Sequence, residues 1–197
     1  MKVQSRCVFC GALEASNEHV FGRWITGLAK DAVPFTLTRS PGRSASALRT
    51  INLKTRAPCK QCNNGWMSRI EEEAKPLLSP IFAGQPARWS ADDQAKIARW
   101  AFKTALMIDC SSPASRVAPA EHFSYLPRRQ MPPQSVLIYL AKHFPAPGEA
   151  ANLVLASSYR PTGVDARLYP NPYQITFSVM QAVFLSLRAH RNRTARD

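Results

Sequence analysis

Two cysteine pairs of identical spacing, "CVFC" at Cys7 and Cys10 and "CKQC" at Cys59 and Cys62, stand about fifty residues apart in a chain of 197. Each pair can turn two thiolates toward one metal through a tight knuckle, and four sulfurs complete a tetrahedral zinc site with no open coordination position. Such a site is structural. A redox CxxC is expected after a strand in a thioredoxin-like context, and two matched pairs favour the metal. The fifth cysteine, Cys110, closes an apolar helical stretch and reads as a buried thiol.

Residues suited to catalysis lie beside these knuckles. Glu18 stands eight residues beyond Cys10 and next to His19 in "NEHV", and Asn63 follows Cys62 directly. Hydrolysis of a phosphodiester needs a base to activate water and a cation against the charge on the scissile phosphate and leaving oxygen. His19 suits the first task, because an unperturbed imidazole titrates near neutrality. Glu18 and Asn63 suit the second as hard oxygen ligands for Mg²⁺ or Mn²⁺. Asn64 competes with Asn63, since either could face the ion while the other caps the helix that follows.

The charge balance agrees with a phosphate partner. Lys and Arg number 26 against 13 Asp and Glu, giving +13 and a pI near 10.1. A polyanion such as DNA, or RNA, is the expected partner, against the alternatives of a merely basic surface or a binder of membrane surfaces. Arg23, Arg39, Arg43, Arg49, Arg56 and Arg69 surround the proposed site and are candidates for phosphate contact. No apolar run reaches the ~18 residues of a membrane span, so no membrane partner is expected. The N-terminal "MKVQSRCVFC" lacks the apolar stretch of a secretory signal, and a cytoplasmic location is expected. A reducing compartment again favours metal over disulfides.

Several elements must position these residues. A first helix is expected from Glu18 or Val20 to Lys30, with Val20, Trp24, Ile25 and Leu28 on one face. "PFTLTR" and "SALRTINLKTR" alternate apolar and polar residues about the turn signal "SPGRS", which predicts a hairpin. A second helix starts near Asn63 or Asn64 and runs through "GWMSRIEEEAKPLL", turning Trp66, Met67 and Ile70 inward. Pro76, Pro80 and Pro86, with Gly84, are expected to break the chain, which sets a boundary between domains 1–85 and 86–197. Ser90 and Asp93 form a capping box for "ADDQAKIARWAFKTALMID", whose buried stripe is Ile97, Trp100, Ala101, Leu106 and Met107. After a proline-rich loop, "SVLIYLAKHF", "ANLVLASSYR" and "YQITFSVMQAVFLSLRAH" read as strands, the last as two strands or one bent one. The class is therefore α+β: a zinc-stapled N-terminal domain, then a helix against an antiparallel sheet. His122, His143 and His190 read as structural or exposed.

Together "CVFC", "EH" at Glu18 and His19, and "CKQCN" ending at Asn63 resemble the HNH endonucleases, of ββα-metal fold, in the subgroup where two CxxC pairs bracket the motif. The resemblance covers about the first 75 residues. It implies that Glu18 and Asn63 are ligands of a catalytic ion, that His19 is the general base, and that Asn52 in "TINLKT" orients the histidine ring. It further implies structural Zn²⁺ on the four cysteines, catalytic Mg²⁺ or Mn²⁺, and DNA as substrate. The gap between His19 and Asn63 exceeds that of compact motifs, and the helix in "FGRWITGLAKD" with a longer hairpin accounts for the excess. Phe21 and Gly22 follow "EHV" where many relatives carry a proline. The expected function is a metal-dependent endonuclease of the HNH class. The alternative is a zinc-stapled nucleic-acid-binding or protein-interaction module without turnover.

Overall fold

The computed structural model describes residues 5–13, 15–28, 35–38, 46–48, 52–111, 116–142, 153–160, 172–180 and 182–188. Lys30, the "SPGRS" turn, Arg39, Arg43, Arg49, His143 and His190 lie outside them. From the N-terminus the elements are β1 (Glu18–His19), α1 (Arg23–Leu28), β2 (Phe35–Thr38), β3 (Ser46–Leu48), β4 (Lys54–Thr55), α2 (Lys60–Cys62) and α3 (Ser68–Phe82). Then come α4 (Ala91–Cys110), α5 (Ala120–Arg129), β5 (Val136–Lys142), β6 (Leu153–Tyr159), β7 (Tyr173–Val179) and β8 (Ala182–Arg188). The fold is mixed helix and largely antiparallel sheet. No helix among the described residues is long and apolar enough to cross a membrane.

Alternation builds the larger sheet. Tyr173, Ile175 and Phe177 on β7 and Ala182, Phe184 and Ser186 on β8 are buried, with half-buried residues between them. "YQITFSVMQAVFLSLRAH" is thus two strands, paired antiparallel from Val179 with Ala182 outward, and Met180 turns between them at φ 50°. Phe177 sits opposite Phe184, their rings stacked with centroids 4.9 Å apart. The full order is β3-β2-β6-β7-β8-β5, in which β2 and β6 are parallel and the other pairs antiparallel.

Helix α4 lies between this sheet and the N-terminal elements. The Ser90–Asp93 capping box starts it, with Asp93 N donating to Ser90 Oγ at 3.2 Å and Ser90 N to Asp93 Oδ2 at 3.0 Å. Every residue from Trp100 to Cys110 is buried, as a helix covered on all sides must be. Its two charged members there, Lys103 and Asp109, both have partners. Asp109 accepts the backbone N–H of Val117 at 3.0 Å and of Ala118 at 2.9 Å, and burial raises its pKa. Thr55 Oγ1 donates to the carbonyl of Cys110 at 2.9 Å and ties β4 to the end of α4. The buried core includes Phe9 and Trp66 on one side of residue 85 and Trp100, Phe177 and Phe184 on the other. Cys110 is buried, and burial pushes its thiol up to about 12.

Three expectations about local structure are corrected. Glu18 and His19 are extended rather than helical, because they pair antiparallel with Thr55 and Lys54, and α1 begins only at Arg23. Pro76 and Pro80 lie inside α3 instead of ending it. The carbonyls that lose an N–H partner there belong to Glu72 and Pro76, both exposed residues that water can reach. The proline-rich stretch before β5 contains α5, entered through Pro119 and left through Gln130 at φ 51°.

Helix α5 buries His122, whose Nδ1 lies 2.8 Å from the Tyr173 hydroxyl. Burial, reinforced by the Arg188 guanidinium, holds this imidazole down from 6.5 to about 4. Between those values the unfolded chain binds the proton and the folded chain does not, so stability present above pH 6.5 is lost as the pH falls toward 4. Urea unfolding at pH 7 and pH 5 should therefore cost the wild type more than His122→Gln, by on the order of 1 to 2 kcal/mol. Equal losses in the two proteins would contradict a buried neutral imidazole.

Candidate active site and metal centre

The two knuckles meet. All four sulfurs of Cys7, Cys10, Cys59 and Cys62 lie within 4.8 Å of one another, and among the described residues they are the only such group of three or more His, Cys or carboxylate ligands. Cys7 Sγ is 3.8 Å from Cys62 Sγ, and Cys10 Sγ is 3.7 Å from Cys59 Sγ. A tetrahedron with metal–sulfur bonds of ~2.3 Å has sulfur–sulfur edges of about 3.8 Å. A disulfide would need ~2.05 Å. The cluster therefore has the dimensions of a tetrathiolate metal site, compatible with structural zinc.

Local geometry turns each pair inward. In the first knuckle Gly11 N donates to Cys7 O at 2.9 Å, and Gly11 takes φ 77°, a left-handed value that glycine adopts at little cost. In the second, Cys59 caps α2 and its sulfur accepts the Cys62 N–H at 3.5 Å. Burial alone would push the Cys7 thiol up, but the backbone N–H groups of Cys10, Cys59 and Phe9 outweigh it and bring it down to about 7. Burial raises Cys62. A bound cation would hold all four as thiolates. The ring of Phe9 packs edge-on against Trp66, centroids 5.4 Å apart, behind the knuckles.

The same contacts bring β1 to the helix. Ser16 N donates to Pro58 O at 2.8 Å, Ala15 bridges Cys59, and Val20 N donates to Leu53 O at 2.8 Å. The antiparallel ribbon β1–β4 leads directly into α2 and a wide π-type turn, Asn63–Met67, whose backbone leaves helical values at Gly65 (φ −94°, ψ −107°). Asn63 and Asn64 sit in this turn. Asn63 Nδ2 donates to Glu18 Oε2 at 2.8 Å and to Asn64 Oδ1 at 3.3 Å. Glu18, His19, Asn63 and Asn64 all line one cavity of about 520 Å³. The Asn63 amide thus draws two hard oxygens together with its N–H₂ edge, and ligation through its own Oδ1 requires the amide to turn over.

Of the other expected site residues that are described, Arg23 alone joins the cavity lining. Asn52 is exposed, two residues before β4, and is not part of the cavity lining. Arg23 lines the cavity, Arg56 donates to Ala15 O at 3.2 Å, and Arg69 is exposed.

No protein-family model, curated protein or solved structure matches the chain. Its chemistry is read from its own side chains.

Sequence reasoning missed Glu71. Its Oε2 accepts the indole N–H of Trp24 at 2.6 Å and of Trp100 at 3.0 Å, while Oε1 pairs with Lys103 Nζ. Both charged residues line the same cavity, and Lys103 is only 4% exposed. The available signal was the lysine: a charge inside "WAFKTALM" cannot be buried without a partner.

Metal analysis of the purified chain should find about one tightly held zinc, lost on Cys59→Ser together with cooperative unfolding. A folded wild-type chain free of metal would contradict the tetrathiolate site.

Proposed function

We propose that the chain is a metal-dependent endonuclease of the HNH class, hydrolysing DNA phosphodiesters with His19 as general base. The observation that carries this reading is the 2.8 Å bond from Asn63 to Glu18, which joins residues 45 positions apart in a cavity that His19 also lines. A short antiparallel ribbon that lies between two CxxC pairs and is followed by a helix is also the arrangement that the HNH resemblance implies. The donor set fits a hard divalent cation, being one carboxylate oxygen and one amide oxygen from Asn63 or Asn64.

Bound there, Mg²⁺ or Mn²⁺ supplies positive charge against the scissile phosphate and the leaving oxygen. Glu18 contributes the negative charge that retains a cation beside a basic surface. His19 takes a proton from water at a ring nitrogen as the water oxygen bonds to phosphorus. The bond to the leaving oxygen breaks, and that oxygen gains a proton from solvent, so charge and protons balance. Arg23 and Lys75, exposed on the cavity lining, are placed to neutralise neighbouring phosphates. A closed four-cysteine site takes no part in the reaction and holds β1 against the turn at Asn63.

Plasmid DNA incubated with Mg²⁺ or Mn²⁺ should be cut by the wild type, and His19→Ala should lose at least ~100-fold in rate. Cleavage that survives in His19→Ala would sink the mechanism. DNA binding with no cleavage by either protein, across several divalent ions, would instead identify a silent zinc-stapled module.

A further inference from the structure

The Glu71 carboxylate is too fully engaged to act as an acid or base. Two indole N–H groups occupy Oε2 and a buried ammonium occupies Oε1. Its donors come from two different helices, Trp24 from α1 and Trp100 and Lys103 from α4, while Glu71 itself is on α3. Three helices are thus keyed to one anion. The chain that leaves β1 passes directly over it: a Cβ on Gly22 would stand 2.5 Å from Glu71 Oε2 and 2.7 Å from Trp24 Nε1. A side chain there fits only if the Glu71 carboxylate or the Trp24 ring gives way, and the backbone at Gly22 does not take a left-handed φ.

We propose that Glu71 is a positioning residue for the Glu18–His19–Asn63 site: by holding Trp24 and the Gly22 turn against α3, it fixes where β1 presents Glu18 and His19 to Asn63. The proposal rests on the hydrolytic reading of that cavity for its kinetic consequence alone. β1 is held on its flank by β4, through the pairing of Glu18 with Thr55 and His19 with Lys54, and on its N-terminal side by Ser16 on Pro58 and the Ala15–Cys59 bridge beside the cysteine cluster. A ribbon of two residues per strand cannot fix its own angle to α3. On its C-terminal side the anchor is the Glu71 cluster, which grips the chain three and five residues beyond His19, at Gly22 and Trp24. Lys103 has the complementary task of pairing with Oε1 of Glu71 while Oε2 accepts both indoles.

Gly22→Ala tests this without altering any charge, because its methyl group must displace the carboxylate or the Trp24 ring. Glu71→Gln strands the Lys103 charge and is accompanied by Glu71→Gln with Lys103→Met, which removes both charges and retains the volume. Each full-length variant is checked for bound zinc and cooperative unfolding. The Asn63 side-chain amide signals are then followed by ¹⁵N–¹H NMR, and kcat and KM for plasmid cleavage are measured with Mn²⁺. Folded, zinc-loaded variants should show displaced Asn63 amide signals and a kcat lower by about 10-fold or more, at a KM close to wild type. Wild-type Asn63 signals in both Gly22→Ala and the double variant would overturn the proposal, and so would unchanged kcat. If the wild type itself cuts no DNA, the hydrolytic reading fails and the NMR result decides the positioning role alone: moved signals sustain it and unmoved signals overturn it.

Discussion

Residues 7–10 and 59–62 must be held together before anything else in the N-terminal half can be placed. Closing a loop of this length costs about 3 to 4 kcal/mol of chain entropy beyond a constant, and the two-residue strands β1 and β4 cannot repay it. Structural zinc on thiolates contributes roughly 10 to 16 kcal/mol at neutral pH, so a metal on Cys7, Cys10, Cys59 and Cys62 offsets the closure with a wide margin. The sulfur–sulfur separations of 3.7 and 3.8 Å suit that task. Because Asn63 follows Cys62 and Glu18 follows the first knuckle closely, closing the cluster also brings the two polar side chains into register.

The second constraint is the burial of charge beneath the same cavity. Lys103 is buried and its partner Glu71 is partly buried on the facing helix, and such a pair is tolerable only with its remaining hydrogen-bonding capacity engaged. The two tryptophan N–H groups meet that need while their rings extend the apolar core toward Phe82, Phe177 and Phe184. Helix α4 thereby connects the cavity to the sheet: its Lys103 lines the cavity, and its Trp100 packs on β7 and β8. The far end of the helix is fixed separately, by Asp109 against Val117 and Ala118 and by Thr55 at Cys110.

What could be read in the sequence follows from how local each cause is. Coordination chemistry demands paired cysteines at a fixed spacing, so the cluster was legible in four letters. The capping box at Ser90 and the alternation in β7 and β8 are also local signals, and both elements formed where they point. Glu18 and His19 are different: their extended shape comes from Lys54 and Thr55, some 35 positions on, and no local pattern announces it. The prolines of α3 misled because a helix can keep its course where water replaces the lost bonds. Choosing Glu71 over Glu72 and Glu73 needs the rotational phase of α3, and the wide turn at Asn63–Met67 resets that phase. The convergence of Asn63 with Glu18 was expected from spacing, whereas the placement of Asn52 outside the cavity could be learned only from the register of β4.

The central claim is that Glu18 and the asparagine turn hold a divalent ion beside His19. Anomalous diffraction at the manganese edge from crystals of the full chain soaked in Mn²⁺ tests this directly. The account predicts a peak within coordinating distance, about 2.0 to 2.6 Å, of a Glu18 oxygen and of the side-chain oxygen of Asn63 or Asn64. Manganese bound only away from Glu18, with the Asn63 amide still donating to its carboxylate, would contradict it.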